Sequence, residues 1–266
     1  MISVLGIPFD ANSSFLRGAA LAPARIRLMD TEGSANSFSE LGNEIKVGLS
    51  HNDLGDLKFE SADPAKAFDI IKSAIAKELA SNRKVLSLGG DHSVSYPIID
   101  AYSEHYPNLH VLHLDAHTDL YDNFENNPYS HASPFARLLE KGKVQSLTQV
   151  GIRTLTNHQR EQAKRFQVKI IEMKDFNFDF IKHLKGPLYI SLDLDVLDPA
   201  LAPAVSHHEP GGMSVRELIH IIHQIKVPVV GADLVEYNPI RDHQNMTAMV
   251  GYKMMKEVIH LLSLTN

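Results

Sequence analysis

The chain has 266 residues, 44% of them hydrophobic, no cysteine, and a formal net charge of −6 with acids and bases interspersed. That length and apolar content suit one α/β domain spanning residues 1–266, while the charge excludes a basic nucleic-acid-binding surface and the missing thiols exclude disulfides and thiolate metal sites. No apolar run reaches the length of a membrane span, and Ile2–Ile7 opens the chain without a secretory leader, so the expectation is a soluble, cytoplasmic protein with neither nucleic-acid nor membrane partners.

Ile2–Ile7 reads as a first strand, followed by a polar loop from Pro8 to Gly18 and a helix start at Pro23, with proline in the first turn. A Ser-rich loop covers Thr31–Asn43, and Ile45–Leu57 holds a second strand. Residues 63–80 place Ala67, Ile70, Ile71, Ala74, Ile75 and Leu79 on one helical face. Lys84–Leu88 is a strand running into Gly89-Gly90-Asp91-His92-Ser93, and a helix around Tyr96–Tyr106 follows. Leu109–Leu112 reads as a buried strand leading into His113-Leu-Asp-Ala-His-Thr-Asp119. A helix near 132–141, strands at Leu147–Ile152, Val168–Ile171 and Pro187–Leu192, a helix at Val215–Ile225, a strand at Val227–Leu234 and a helix at Met246–Leu262 complete the chain. Strands alternating with helices predict a three-layer α/β/α fold with a mainly parallel central sheet.

Three strand ends carry the same kind of residue: Asp91-His92, then Asp115, His117 and Asp119, then Asp193 and Asp195. In a parallel sheet these ends share one edge, where open α/β sheets place their sites. On extended backbone the i, i+2, i+4 spacing of Asp115, His117 and Asp119 puts their side chains on one face. Four clustered carboxylates repel one another in a low dielectric, and two divalent cations would cancel their charge. Oxygen-rich ligands with imidazole suit Mn²⁺ better than a structural zinc. Asp91 reads as a group that orients a ligand, Asp198 before Pro199 as a turn former, and the remaining histidines, His113 and His207 among them, as structural or surface residues.

These segments carry a resemblance. Gly89–Ser93, Asp115–Asp119 and Ser191–Pro199 resemble the three signatures of the ureohydrolase (arginase/agmatinase) family, and the likeness is strongest to its plant-type arginases. It extends through Asn12–Leu16, Leu120–Glu125, Tyr129–Ser133, Gln149–Arg153, Val205–His207, Glu209–Gly212, Gly231–Glu236 and Met246–Val250. The resemblance implies the arginase-like fold and two Mn²⁺ per subunit, one held by His92, Asp115, Asp119 and Asp193, the other by His117, Asp115, Asp193 and Asp195. Asp115 and Asp193 would bridge. It further implies His131 as the catalytic histidine, Glu236 as the guanidinium-binding carboxylate, a small guanidino substrate, and a homo-oligomer, trimer or hexamer. Asn123, Asn127 and Ser130, together with His131 and Glu236, are the expected substrate-binding residues. The implied reaction is hydrolysis of L-arginine to urea and L-ornithine. The alternatives are hydrolysis of agmatine to urea and putrescine, another guanidino-acid hydrolase, or a non-catalytic metal-bound sensor or scaffold. The chain departs from family patterns at Arg17, at Tyr121 and over Asn126–Ser130, which bears on substrate choice.

Overall fold

The computed structural model describes residues 1–264. Eight strands form one sheet: β1 (Ile2–Gly6), β2 (His51–Asp56), β3 (Lys84–Leu88), β4 (His110–Leu114), β5 (Ser146–Ile152), β6 (Lys169–Glu172), β7 (Leu188–Asp193) and β8 (Val229–Val235). Their spatial order is β2-β1-β3-β8-β7-β4-β5-β6, and every pairing is parallel. All C-terminal strand ends therefore lie on one edge. The fold expected from the alternating pattern is the fold observed.

Helices cover both faces, as the near-continuous apolar strands require. On one side α1 (Ala22–Glu32), α6 (Val215–Gln224) and α7 (Met246–Leu264) pack Ile26, Ile222, Tyr252 and Ile259 against Leu86, Leu112, Ile190 and Ala232 of the sheet. On the other, α2 (Pro64–Ala80), α3 (Ser95–His105) and α4 (Pro134–Glu140) pack Ile71, Ile75, Tyr102 and Phe135 against Val85, Val111 and Tyr189. At roughly 25 cal/mol per Å² of apolar surface these two layers supply most of the stabilisation.

One helix escapes the periodicity argument. α5 (Asn157–Arg165) is composed almost wholly of polar residues and buries only Gln159, Gln162 and Ala163. It is fixed by a capping box instead: the Thr156 hydroxyl accepts from Gln159 N, and Gln159 Oε1 accepts from Thr156 N at 2.9 Å.

Close packing also shapes the loops at the C-terminal edge. A Cβ on Gly90 would stand 1.9 Å from the Phe9 carbonyl oxygen, so only glycine lets the segment after β3 lie against the segment after β1. Gly151, at φ +99°, lets β5 pass the backbone of Asp115.

Candidate metal centre

The four central strands β3, β8, β7 and β4 each deliver polar side chains from the C-terminal edge. His92 follows β3 in a short 3-10 turn capped by the Asp91 carboxylate. Asp193 ends β7, and its Oδ1 accepts the amide of Asp195 at 2.7 Å. Asp115, His117 and Asp119 follow β4.

The extended alternation expected for those last three residues is not what converges them. β4 ends at Leu114. The chain then turns, with His117 N donating to Asp115 Oδ1 at 2.5 Å and Asp119 in the left-handed region at φ +49°. An Asx-type turn, which Asp favours because its carboxylate can take the amide two residues on, replaces the strand geometry.

The six expected ligands come together. His92 Nδ1 lies 3.1 Å from Asp115 Oδ2, 3.0 Å from Asp119 Oδ2 and 3.1 Å from Asp193 Oδ2. His117 Nδ1 lies 2.9 Å from Asp195 Oδ2 and 3.4 Å from Asp115 Oδ1. Asp115 thus faces both histidines with different oxygens, whereas Asp193 approaches only His92 at these distances. His113 also reaches the cluster, but its Nε2 donates to Asp115 Oδ2 at 2.7 Å while Gln149 Nε2 donates to its Nδ1 at 2.9 Å. Its lone pair is spent, so His113 orients a ligand and is not one.

These groups fit a pair of cations. His92 Nε2 donates to Ser191 Oγ at 3.0 Å, and Ser191 donates to Asp233 Oδ1 at 2.7 Å. That chain puts the ring proton on Nε2 and leaves Nδ1 a bare lone pair among three carboxylate oxygens. Nδ1 is a buried nitrogen with no hydrogen bond of its own, an arrangement that is repulsive unless a positive charge sits among these atoms. The charges tell the same story. Burial, then the charge of Asp195 and of Asp115, pushes Asp193 well above the usual carboxylate range. Burial, then Asp115, lifts Asp195 to about 6. Burial opposes a charge on His92, yet Asp115, Asp119 and Asp193 drive it well up, so that in the absence of metal the imidazole itself is the cation.

A row of polar residues underlies the cluster. Gln149, His113, Ser191, Asp233 and Ser87 are register partners across β5, β4, β7, β8 and β3, and all are essentially unexposed. From sequence, His113 read as a structural or surface residue, and no role was read for Ser87, Gln149, Ser191 or Asp233. The available signal was a polar side chain inside an otherwise apolar buried strand, which needs a partner.

Glu236 follows β8 in the left-handed region at φ +64°, a conformation costing about 1–3 kcal/mol for such a residue. Its Oε1 accepts from His92 N at 2.9 Å and pairs with His131 Nδ1 at 2.7 Å, while among the described residues nothing donates to Oε2. His131 Nε2 meets Ser14 Oγ at 2.8 Å. Burial disfavours the His131 cation, but the Glu236 carboxylate overrides this and holds it at about 9. Asp91 is no ligand. Its carboxylate gathers Asn12 N at 3.0 Å, Ser13 Oγ at 3.3 Å and Ser93 N at 3.1 Å, fixing the loop that carries Ser14. Asp198 takes three backbone amides, of Ala200, Gly211 and Gly212, as a turn former should. Arg153, whose role sequence reasoning missed, donates to the carbonyls of Asp195, Val196, Leu197, Gly151 and Glu209 and ties the segment after β7 to β5.

A cavity of about 160 Å³ opens over this cluster. His117, Asp119, His131, Asp193, Asp195 and Glu236 line its floor, and Tyr121, Phe124, Thr154, Gln159 and His207 line the rest with Ser14 and Ala132. His207, read as structural or surface from sequence, is thus a wall residue. Asn123, Asn127, Ser130 and Arg17 do not line it. Asn123 is exposed. The Asn127 side chain takes Tyr129 N at 2.9 Å and reaches Asn12 Oδ1 at 3.4 Å, Ser130 Oγ accepts Ala132 N at 3.3 Å, and Arg17 donates to Ala11 O. Asn127 and Ser130 shape the loop.

Comparison with known proteins agrees with this geometry. The model of the arginase family matches residues 1–261. Arginase 1, mitochondrial, of Arabidopsis thaliana is 45% identical over 98% of this chain and 81% of its own length. An agmatinase of Bacillus cereus is 33% identical over 97% and 90%. The solved arginase of Medicago truncatula superposes with a TM-score of 0.92 at 40% identity, covering 98% of this chain and 87% of that one. One expectation is overturned here. Plant relatives of this chain are named mitochondrial or chloroplastic, which points away from the cytoplasm. The cytoplasmic reading rested on the absence of a recognisable leader, and an absence carries no address. With its ligand-bearing strand ends, its cavity and its match over nearly the full length, the chain belongs to the arginase family.

Proposed function

We propose that this protein is a binuclear manganese arginase, hydrolysing the guanidino group of L-arginine to urea and L-ornithine. The observation that carries the reading is the buried His92 Nδ1, without a hydrogen bond and facing oxygens of Asp115, Asp119 and Asp193, beside a cavity that Asp119, Asp193 and Glu236 line. One ion would take His92, Asp115, Asp119 and Asp193, and the other His117, Asp115, Asp193 and Asp195. Bound there, two cations would supply a hydroxide nucleophile from water near neutral pH and neutralise the carboxylates. Oxygen-rich donors with two imidazoles favour Mn²⁺.

The chain's own groups do the rest. Glu236 Oε2 accepts from the guanidinium N–H donors and aims the central carbon at the floor. Its Oε1, anchored by His92 N and His131, keeps that carboxylate from rotating away. A hydroxide oxygen adds to the guanidinium carbon, the bond from that carbon to the chain nitrogen breaks, this nitrogen gains a proton, and the added oxygen gives up its own to leave the urea carbonyl. His131 holds a proton for the nitrogen, kept by its pairing with Glu236, and Ser14 Oγ at its Nε2 gives that proton a path to the cavity. By the family resemblance the enzyme assembles as a trimer or hexamer.

Agmatine hydrolysis is the second reading. It gains from one observation: the expected carboxylate contacts Asn123, Asn127 and Ser130 lie outside the cavity lining. Urea release from a panel of guanidino compounds, with protein stripped by a chelator and reloaded with Mn²⁺, separates the two. L-Arginine is expected to give the highest kcat/KM. No urea from any of them would refute the reading.

A further inference from the structure

The opposite edge of the sheet, where β4, β5, β6 and β7 begin, carries a second cavity. His110, Ser146, Lys169 and Leu188 are the first residues of those strands, and they line a hollow of about 280 Å³, against about 160 Å³ over the metal cluster. The connection from β6 to β7 forms one wall: Phe180 and Leu184 pack into the core, while His183 and Lys185 stay exposed. We propose that this cavity binds a small phosphate monoester, with the phosphoryl group between Lys169 and Lys185 and the organic part on the apolar floor. Its occupant would be distinct from the guanidino substrate, because the metal ligands lie on the other edge.

The lining is divided by chemistry. Val111, Leu147, Phe180 and Leu188 are buried and apolar, a floor for a ring or short alkyl body. Every ionisable group on the lining is basic: Lys169, Lys185, His110 and His183, with no carboxylate among them, in a chain whose formal net charge is −6. Neither lysine makes an ion pair among the described residues, whereas Lys174 and Lys182, on the same β6–β7 connection as Lys185, each meet an aspartate at 2.6 Å. The half-buried His110 is held by Ser146, whose Oγ meets its Nδ1 at 2.7 Å. Burial, then the charge of Lys185, keeps this imidazole below its ordinary range, so Lys185 faces a neutral ring and no counter-charge. An anion supplies what is missing. Two ammonium groups match the roughly two negative charges of a phosphate monoester near neutral pH, and lysine holds phosphate as a point charge without the planar fork of arginine. A monocarboxylate would leave one positive charge unmatched.

Calorimetric titration of the Mn²⁺-loaded protein with phenyl phosphate tests this, beside the double variant Lys169→Glu/Lys185→Glu. Both changes are on exposed side chains at the edge away from the metal ligands, so melting temperature and urea release should match the wild type. Saturable binding in the low-millimolar range or tighter is expected for the wild type. In the variant Kd should weaken by about tenfold or more, as two attractive charges become repulsive. Phenyl phosphate that bound only at the metal ions would bind both proteins alike, so equal Kd values would overturn the site, as would no saturable binding to the wild type. Inorganic phosphate, which lacks the ring, and benzoate, which lacks the second charge, should each bind more weakly than phenyl phosphate. Inorganic phosphate binding as tightly would overturn the role of the floor, and benzoate binding as tightly would overturn the phosphoryl assignment. Because binding is read without turnover, each result stands apart from the arginase reading.

Discussion

The floor of the cavity and its mouth are held by different means. The metal cluster beneath the floor sits on strand ends or in the turns that follow them: His92, Asp115 and Asp193, with Glu236 beside them, are each within two residues of a strand or its capped turn, and a buried polar row backs them from below. The mouth is made by the start of α5 and by the loop from 120 to 133, which also carries His131 to the floor and whose other side chains bond mainly to their own loop. On the proposed reading, chemistry requiring fixed distances would lie on the strand ends, and substrate choice on the loops, which can vary without disturbing the candidate ligands. The same division orders the effects expected on substitution.

The largest effect belongs at the floor. Asp115→Ala removes the carboxylate that faces both histidines, and urea release should fall by about a thousandfold or more as several kcal/mol of charge stabilisation is lost. Metal analysis should find both ions depleted. Asp193→Ala sharpens the picture, since of the two candidate ligand histidines Asp193 stands close only to His92. If that variant keeps one ion at full occupancy, its proposed bridging is wrong while that of Asp115 stands. Next comes Glu236→Gln, which keeps shape but removes the charge proposed to face the guanidinium. It should cost about ten- to a hundredfold in kcat/KM with two ions retained, and loss of metal in this variant would move Glu236 from substrate binding to structural support.

A smaller effect concerns the pair of His131 and Glu236. In the folded, metal-free protein His131 is lifted from 6.5 to about 9. A raised value means the pair's stabilisation is complete below about pH 6.5 and is lost as pH rises through about 9. Melting temperature of the metal-free protein should decline over that window, and the His131→Asn variant should lack that decline. An identical alkaline slope in both would show that another group sets it. The smallest effect is expected at the mouth, where Asn123→Ala should change kcat/KM for L-arginine by no more than about twofold, as for an exposed residue without a buried partner. A tenfold loss there would bring the outer loop into the substrate site and erase the division between floor and mouth.

The two regions also differed in how far the sequence disclosed them. Strand ends could be read because apolar runs mark where β3, β4 and β7 stop, and parallel topology puts all such ends on one edge. The candidate ligands were legible from residue type, although their route to one place was not: Asp119 reaches the cluster through a left-handed turn and not along a strand. His113 read as structural or surface and Ser191 as strand interior, and their work became visible only through register, which brings Gln149, His113, Ser191 and Asp233 side by side. The mouth was harder. Asn123, Asn127 and Ser130 have the right chemistry, but Asn and Ser serve turns as readily as ligands, and sequence does not say which way a loop side chain points. Gln159 escaped notice because α5 shows no apolar stripe. Its one local mark is Thr156-Asn-His-Gln159, a capping box in a segment otherwise read as connection.

The central claim is that two metal ions on one set of six side chains turn over the guanidino group of an amino acid. Its most direct test is a titration of chelator-stripped protein with Mn²⁺, following bound metal and urea release from L-arginine together. The account predicts that activity reaches its plateau at two ions per subunit. Full activity with one ion, or with none, would contradict it.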